Sequence, residues 1–310
     1  MIIDSHCHVF ETLRGYTGRG YVTPVGYGRV RFDNGDTARM LPPLNEETRF
    51  TAEMLLAYMD WVGVDKALIM THNFHGYLND YVADCIRRWP DRFFGACSVD
   101  PCAAQRDAMV RRLTDELGFR NFKLELSVDA GLLGFHPGLK LNQPQLMDLW
   151  RQLDERKMTL MLDLGFIGEP ANQKGELLEI AGTFPNLTIV VVHLCYPPVG
   201  RPVGDPQWVA WQSMLELAQH PRIYLDIAWG GLLTDDEEYP FEKRQAVVQT
   251  AVERVGAHKL IWGTDVTSFL TKATYRQGLD WVRKHCGFLS AEQKAAILGE
   301  TARTVYHVEG

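Results

Sequence analysis

The stretch TIVVVH (residues 188–193) decides how the fold is interpreted, because an apolar, β-branched run leads directly into a histidine. Runs of this composition are typical of β-strands. Seven more occur along the chain: MIID (1–4), KALIM (66–70), FFGACSV (93–99), FKLEL (122–126), TLMLDL (159–164), IYLDIA (223–228) and KLIWGT (259–264). The sequence therefore predicts eight strands.

The segments between these strands have helical periodicity. In PQLMDLWRQLDE (144–155), Leu146, Leu149, Trp150 and Leu153 recur at helical spacing, and charged residues take the other face. Each such helix can cover one side of a sheet. Eight βα units without a Ser/Gly/Pro linker predict an α/β protein, a (β/α)8 TIM barrel that forms a single domain over residues 1–310. A doubly wound open sheet is the alternative.

Two segments exceed a minimal barrel. Residues 9–50 form a connection after the first strand that is too long for a simple βα loop, and we expect an active-site loop insertion there. After the eighth strand, the segments 279–290 and 291–307 have the pattern of additional helices. We expect these C-terminal helices to close the floor and flank of the barrel.

Composition favours a small-molecule substrate. The net charge of -7, without a Lys/Arg block, argues against nucleic acid and against an anionic membrane surface as partners. The six cysteines form no CxxC pair, which favours reduced thiols and a cytoplasmic location. A homo-oligomer such as a dimer remains open, since Trp208 and Trp211 could pack on a neighbouring subunit or on the barrel itself.

Ionisable residues lie at the ends of four predicted strands, where the catalytic residues of a barrel are found. His6 and His8 share one face of an extended segment, and Asp163, His193 and Asp265 follow three later strands. Singly, each has an ordinary explanation: a solvated histidine, a turn aspartate or a hydrogen-bonded core imidazole. A buried ionisable group needs a partner or an ion, and five at one end of the barrel predict a shared site.

Other polar residues are candidates for substrate binding. Lys123 lies near a strand end and could hold an anion, or it could extend to solvent beside Glu125. Arg29 and Arg39 in the long insertion suit a substrate carboxylate, although they could pair with acidic residues of the same segment. His72, after the second strand, is a candidate rim residue or a solvated loop histidine.

Motifs over nearly the whole chain match a known enzyme family. IIDSHCH (2–8) matches a DxHxH pattern on a first strand, and YVADCIRRWPDRFFGACSVDP (81–101) matches a helix, a turn and a third strand. LGFRNFKL (117–124), FPNLTIVVVHLCYPP (184–198) and HKLIWGTDV (258–266) correspond to strands 4, 6 and 8. With these motifs the chain resembles the amidohydrolase superfamily, in the amidohydrolase-related branch (amidohydrolase family 2).

The resemblance implies roles for individual residues. His6 and His8 match the pair that binds metal or polarises the substrate, His193 matches the strand 6 histidine, and Asp265 matches the strand 8 aspartate. Metal-dependent decarboxylases of the branch, such as aminocarboxymuconate-semialdehyde decarboxylase, have a ligand histidine where this chain has Asp163. The chain is more similar there to 2-pyrone-4,6-dicarboxylate lactonase, some of whose relatives use no metal. The proline that usually follows the strand 8 aspartate is absent.

The function expected from this resemblance is hydrolysis of a lactone or C–N bond in a small carboxylated molecule. Asp265 would act as general base, and one divalent Zn or Mn ion would be held by His6, His8 and Asp265 with Asp163. His193 would stabilise the oxyanion. Three alternatives remain: a non-oxidative decarboxylase of an aromatic or muconate-like acid, a metal-free lactonase, and a catalytically silent barrel that binds a ligand.

Overall fold

The computed structural model describes residues 1–202, 204–228 and 237–308. Its strands, in chain order, are β1 Ile3–His8, β2 Tyr16–Thr17, β3 Gly20–Gly26, β4 Arg29–Phe32, β5 Thr37–Arg39, β6 Lys66–Met70, β7 Phe93–Cys97, β8 Asn121–Glu125, β9 Thr159–Asp163, β10 Thr188–Val191, β11 Ile223–Asp226 and β12 Leu260–Ile261. Eight of them, β1 and β6 to β12, form one parallel sheet in chain order. All eight predicted strands are therefore confirmed.

The sheet closes into a barrel where β1 meets the chain beyond β12. The backbone amide of Ser5 donates to the carbonyl of Trp262 at 3.2 Å, and that of His8 donates to the carbonyl of Val266 at 2.7 Å. The amide of Asp265 donates in return to the carbonyl of His6 at 2.8 Å. These bonds join the two ends of the sheet, which confirms the TIM barrel and excludes the open sheet.

Helices follow the barrel strands in the βα order that the sequence predicts. They are α1 Ala52–Val62, α2 Asn79–Arg88, α3 Arg106–Arg111, α4 Pro144–Glu155, α5 Lys174–Thr183, α6 Pro206–Leu215, α7 Glu242–Val255, α8 Tyr275–Asp280, α9 Ala291–Ala295 and α10 Thr301–Val305. In α4 the four apolar residues of the predicted stripe, Leu146 to Leu153, are all buried. None of the described helices is long and apolar enough to cross a membrane.

The barrel interior forms an apolar layer of its own. Met70, Met161 and Val190 belong to a buried cluster that also contains Ala302 and Tyr306 from the C-terminal helices. The outward-facing residues of the strands belong to the larger cluster, which packs against the surrounding helices. The C-terminal helices thus close the barrel floor, as the sequence predicts.

The insertion is more ordered than the predicted loop. Strands β2 to β5 form a separate four-stranded antiparallel sheet within residues 9–50. The RVRF segment alternates strictly, so that Val30 and Phe32 are buried while Arg29 and Arg31 are exposed. This period-two alternation is the signal of a half-buried strand, and the long connection is therefore a small sheet.

The tryptophans of α6 pack on the barrel of their own chain. Trp208 and Trp211 are 5% and 0% exposed, and the Trp211 indole N–H donates to the carbonyl of Leu194 at 2.8 Å. Of the two alternatives for these residues, packing within the chain is therefore the observed one.

Asp4 is the buried carboxylate that joins β1 to the segment after β12. It accepts the backbone amide of Thr264 at 2.9 Å, the Thr264 hydroxyl at 2.7 Å and the Tyr275 hydroxyl at 2.9 Å. Burial raises the pKa of Asp4, and the hydrogen bonds from Thr264 oppose that rise. The first residue of the DxHxH motif therefore holds the barrel seam and lies two residues before the first histidine of the site.

We predict that Asp4→Ala lowers the free energy of unfolding by about 3 kcal/mol, because the buried donors of Thr264 and Tyr275 lose their acceptor. Urea-induced unfolding followed by circular dichroism measures this change. Tyr275→Phe removes one of the same hydrogen bonds and should cost about 1 kcal/mol. Equal stabilities of Asp4→Ala and the wild type would contradict the seam role of Asp4.

Candidate active site

A cavity of about 260 Å³ lies at the C-terminal mouth of the barrel. Its walls include the five strand-end residues that the sequence analysis selects, His6, His8, Asp163, His193 and Asp265. All five are buried, between 1% and 6% exposed. The structure therefore brings these side chains together, as expected from their positions after four parallel strands.

Three histidines of the cavity are oriented through their Nδ1 atoms. His6 Nδ1 bonds to Asp226 Oδ2 at 2.7 Å, His8 Nδ1 to the carbonyl of Met70 at 3.3 Å, and His193 Nδ1 to the carbonyl of Ala228 at 3.1 Å. A carbonyl or carboxylate oxygen accepts, so each Nδ1 carries the proton. In the neutral ring, Nε2 then offers its lone pair.

Asp265 lies between two of these Nε2 atoms. Its Oδ1 is 3.2 Å from His8 Nε2 and 3.7 Å from His6 Nε2. Burial alone would raise the pKa of Asp265, but the contact with His8 and the proximity of His6 and His193 lower it. Burial lowers the pKa of His6 well below its ordinary value, against the effect of Asp265.

This arrangement fits a divalent cation. An ionised carboxylate faces an imidazole lone pair, and two acceptors at this distance need a positive charge between them. Donor atoms of His6, His193 and Asp265 all lie within 4.8 Å of one another. Two ligands of one tetrahedral Zn²⁺, each bound at about 2.1 Å, stand about 3.4 Å apart. Asp226, which orients His6, is a partner that the sequence analysis did not select.

Asp163 lies on the far side of His193. Its Oδ2 is 3.4 Å from His193 Nε2 and accepts the Tyr196 hydroxyl at 2.5 Å, and its Oδ1 accepts the amide of Gly165 at 2.8 Å. Burial acts to raise the pKa of Asp163, but His193, Lys123 and two side-chain hydrogen bonds lower it. Both oxygens are thus engaged within the protein, and Asp163 contacts His193 rather than the His6 and Asp265 pair.

Glu125 is a second carboxyl group in this part of the cavity, and from the sequence it was considered only as a partner of Lys123. It hydrogen-bonds to Asp163, and burial, followed by the charge of Asp163, raises its pKa well above the ordinary value. The alternation in FKLEL placed Lys123 and Glu125 on one strand face, so the signal for Glu125 was present in the sequence.

The candidates for substrate binding divide into two groups. Lys123 and His72 line the cavity, and Lys123 is 1% exposed with no hydrogen-bond partner at Nζ among the described residues. Arg29 and Arg39 are exposed on the small sheet, where they donate to Thr37 Oγ1 at 3.3 Å and to the carbonyl of Tyr27 at 2.9 Å. Neither lines the cavity.

Arg19 is the arginine of the insertion that does line the cavity. Its guanidinium lies 3.8 Å from the ring centroid of Phe32, and its buried Nε has no hydrogen-bond partner in the described part of the chain. Arg19 lies in the turn between β2 and β3, whereas Arg29 lies on the exposed face of β4. Arg19 was not predicted as a site residue, because a loop prediction for the insertion does not tell which of its arginines faces the cavity.

Fold and site together are those of a TIM-barrel enzyme, with imidazole and carboxylate groups at the barrel mouth. The family model described as amidohydrolase matches residues 3–308, and the chain belongs to this family, in its family 2 branch. Comparison with curated protein sequences gives no match.

Solved structures share the fold at low sequence identity. A probable 2-pyrone-4,6-dicarboxylic acid hydrolase from Acinetobacter baumannii, with bound citric acid, is 18% identical, has a TM-score of 0.69 and covers 99% of both chains. An amidohydrolase from Burkholderia multivorans with bound Zn is 16% identical, has a TM-score of 0.73 and covers 100% of both chains. The 2,6-dihydroxybenzoate decarboxylase from Rhizobium is 15% identical, has a TM-score of 0.59, and the match covers 85% of this chain and 90% of the decarboxylase.

We predict that Glu125→Gln becomes more stable relative to wild type as the pH rises. A group with a raised folded-state pKa contributes stability below its unfolded pKa and loses it as the pH rises, by about 1.4 kcal/mol per pH unit. The loss begins above the ordinary glutamate value of 4.5, and glutamine has no such titration.

Urea unfolding of chelator-treated protein between about pH 4.5 and 7.5 measures this difference, because the window starts at the unfolded pKa. Glu155→Gln makes the same change on the exposed surface of α4 and serves as the control. A difference between Glu125→Gln and wild type that stays constant over this range would contradict the raised pKa.

Proposed function

We propose that this amidohydrolase hydrolyses a small carboxylated substrate, a lactone or a C–N bonded compound, with a water activated at a divalent cation. One observation carries this proposal: the ionised Asp265 carboxylate faces the Nε2 atoms of His6 and His8 at the mouth of the barrel. A carboxylate that remains ionised there can accept a proton from an attacking water.

His6, His193 and Asp265 are the residues that the geometry favours as ligands of the ion. Their donor atoms form one group, and three protein ligands with an open fourth position are typical of catalytic zinc. Mn²⁺ accepts the same imidazole and carboxylate donors. When bound, the ion lowers the pKa of a coordinated water and polarises the substrate carbonyl. Asp163 was expected to be a further ligand. Because it contacts His193, we assign it instead to positioning the His193 ring.

The side chains around this group have separate tasks. Asp226 holds His6 through Nδ1, and the carbonyl of Ala228 holds His193 in the same way, so both Nε2 atoms keep their direction. Asp265 accepts the proton of the attacking water. Lys123, whose buried Nζ has no partner among the described residues, can stabilise the negative charge that develops on the substrate oxygen.

The charge of the cavity wall supports a carboxylated substrate. Lys123 and Arg19 both line the cavity with an unpartnered nitrogen in the described structure, and they lie on different walls, β8 and the insertion. Cationic side chains with an unsatisfied buried nitrogen favour an anionic ligand. The relative with bound citric acid is named as a hydrolase of a dicarboxylic acid, which agrees with this substrate class.

We predict that Asp265→Asn lowers kcat by about 10²- to 10⁴-fold on any lactone found by screening, because the general base is lost. Carboxylated lactones are screened by proton release, with CO₂ detection in parallel. Asp129→Asn, on an exposed loop residue after β8, is the control. Chelation should abolish turnover, and Zn²⁺ or Mn²⁺ should restore it.

Two outcomes of this screen would replace the proposal. CO₂ release without ring opening would assign the site to a decarboxylase. Full turnover by protein shown to be free of metal would assign it to a lactonase in which His6 and His8 contact the carbonyl directly.

We further predict that Arg19→Ala lowers kcat/KM for a carboxylated substrate by about 10- to 100-fold, mainly through KM, since a charge-assisted hydrogen bond is lost. Arg29→Ala removes an arginine of the same small sheet that lies outside the cavity and should leave both constants unchanged. Steady-state kinetics on the two variants provide the test. Equal losses in both would contradict the assignment of Arg19 to the substrate carboxylate.

A further inference from the structure

An aspartate, a cysteine and a histidine meet on two loops outside the cavity. Asp100 and Cys102 lie between β7 and α3, and His136 lies between β8 and α4. Their donor atoms are within 4.8 Å of one another, and none of these three residues lines the barrel-mouth cavity. The proposed function uses none of them.

The imidazole of His136 faces the carboxylate of Asp100. His136 Nε2 lies 2.9 Å from Asp100 Oδ1 and 3.0 Å from Asp100 Oδ2. The two side chains are 28% and 29% exposed, so an ion can reach them from solvent. An ordinary surface ion pair has the same geometry, and the argument for a ligand site therefore depends on the groups around this pair.

The thiol of Cys102 is the first of these groups. The backbone amide of Cys102 donates to Asp100 Oδ1 at 2.8 Å, so a tight turn holds the cysteine beside the carboxylate. Burial, followed by the charge of Asp100, raises the pKa of the Cys102 thiol. A coordinated metal ion has the opposite effect, because it deprotonates a thiol that binds to it.

Tyr77, on the turn after β6, is the second group. Its Oη is buried and has no hydrogen-bond partner among the described residues. Burial, followed by the charges of Asp100 and Cys102, raises the pKa of Tyr77, so its hydroxyl lies near both. A buried hydroxyl without a partner costs about 1–3 kcal/mol. A water coordinated to an ion at this position would give Tyr77 that partner.

The main chain that carries the three donors is held in place. Arg106 donates from one guanidinium nitrogen to the carbonyls of Pro101 at 3.4 Å and Gln145 at 2.7 Å. The amide of His136 donates to the carbonyl of Leu132 at 2.7 Å. Both loops are thus supported independently of any ion, as a preorganised ligand set requires.

We propose that Asp100, Cys102 and His136 bind a Zn²⁺ ion, which joins the loops after β7 and β8 outside the cavity. Thiolate, imidazole and carboxylate are all zinc ligands, whereas Mg²⁺ and Ca²⁺ prefer oxygen. On binding, the thiol proton passes to solvent, and the ion replaces the proton between His136 Nε2 and the carboxylate. This inference goes beyond the proposed function and does not depend on it.

The ion stabilises one wall of the active site. Ser127 and Ala130, which line the cavity, belong to the same loop after β8 as His136. Zn²⁺ should therefore slow amide hydrogen exchange over residues 127–136 in the wild type, and it should not do so in Cys102→Ser. Unchanged exchange in the wild type would overturn this role of the ion.

The test of the site itself is Co²⁺ absorption on the full chain, since a thiolate bound to Co²⁺ gives a near-ultraviolet charge-transfer band. Chelator-treated wild type should develop this band on titration with Co²⁺, and Zn²⁺ should remove it by displacement. Imidazole and carboxylate ligands give no such band, so the ion held by His6, His193 and Asp265 does not contribute.

Variants assign the band to this site. Cys102→Ser should abolish it, and His136→Gln should weaken Co²⁺ binding at least about 10-fold. Cys85→Ser is the matched control, because Cys85 belongs to no group of possible metal ligands in the described part of the chain. Circular dichroism establishes that each variant is folded.

The outcomes separate this site from the active site. A wild type that saturates with Co²⁺ without the band would leave Asp100 and His136 as an ordinary ion pair and overturn the inference. A band of equal strength in Cys102→Ser would overturn it as well, because another of the six free cysteines would be the ligand. His193→Asn should keep the band, so a failure of the proposed function is distinguishable from a failure here.

Discussion

The site depends on the closure of the barrel between β1 and the chain after β12. His6 and Asp265 belong to the two ends of the sheet, more than 250 residues apart in sequence, and the 2.8 Å hydrogen bond from the Asp265 amide to the His6 carbonyl joins them. The same seam contains Asp4, whose carboxylate accepts the amide and the hydroxyl of Thr264. A slip of one residue at this seam would turn every side chain of β1 to the other face.

The buried polar groups at the barrel mouth are stable only because they form a connected hydrogen-bond network. Glu125, with its raised pKa, hydrogen-bonds to Asp163, which retains a lowered pKa through His193, Lys123 and Tyr196. Two ionised carboxylates at this depth would repel each other in a poorly screened environment. One proton on the pair therefore lets the protein keep a carboxylate beside His193.

Periodicity in the sequence was sufficient for the fold and for the strand-end residues. The eight apolar runs and the residue that follows each run place His6, His8, Asp163, His193 and Asp265 at one end of the barrel, and the structure brings them to one cavity. The pattern does not predict which side chains form hydrogen bonds with each other. Asp226 is a strand residue that orients His6, and only the three-dimensional neighbourhood of β11 and β1 identifies it.

The insertion shows the other limit of sequence patterns. The turn between β2 and β3 carries Arg19 to the cavity, while Arg29 remains on the exposed face of β4. His72 and His75 also depend on contacts with the small sheet, because Asn73 links their turn to β2. Residues whose position depends on long-range packing are not marked by local periodicity.

Backbone conformation at the strand ends indicates where the fold is under strain. His193, Leu194, Cys195 and Tyr196 are consecutive non-glycine residues with φ between 49° and 57°, and Asp265 has φ of 55°. Left-handed non-glycine residues cost about 1–3 kcal/mol each and persist only where surrounding contacts determine them. Here Asp226 accepts the amide of His193, and Trp211 of α6 donates to the Leu194 carbonyl. The helix layer thus stabilises the backbone that directs His193 into the cavity. This contact gives the buried Trp211 indole a structural role within its own chain.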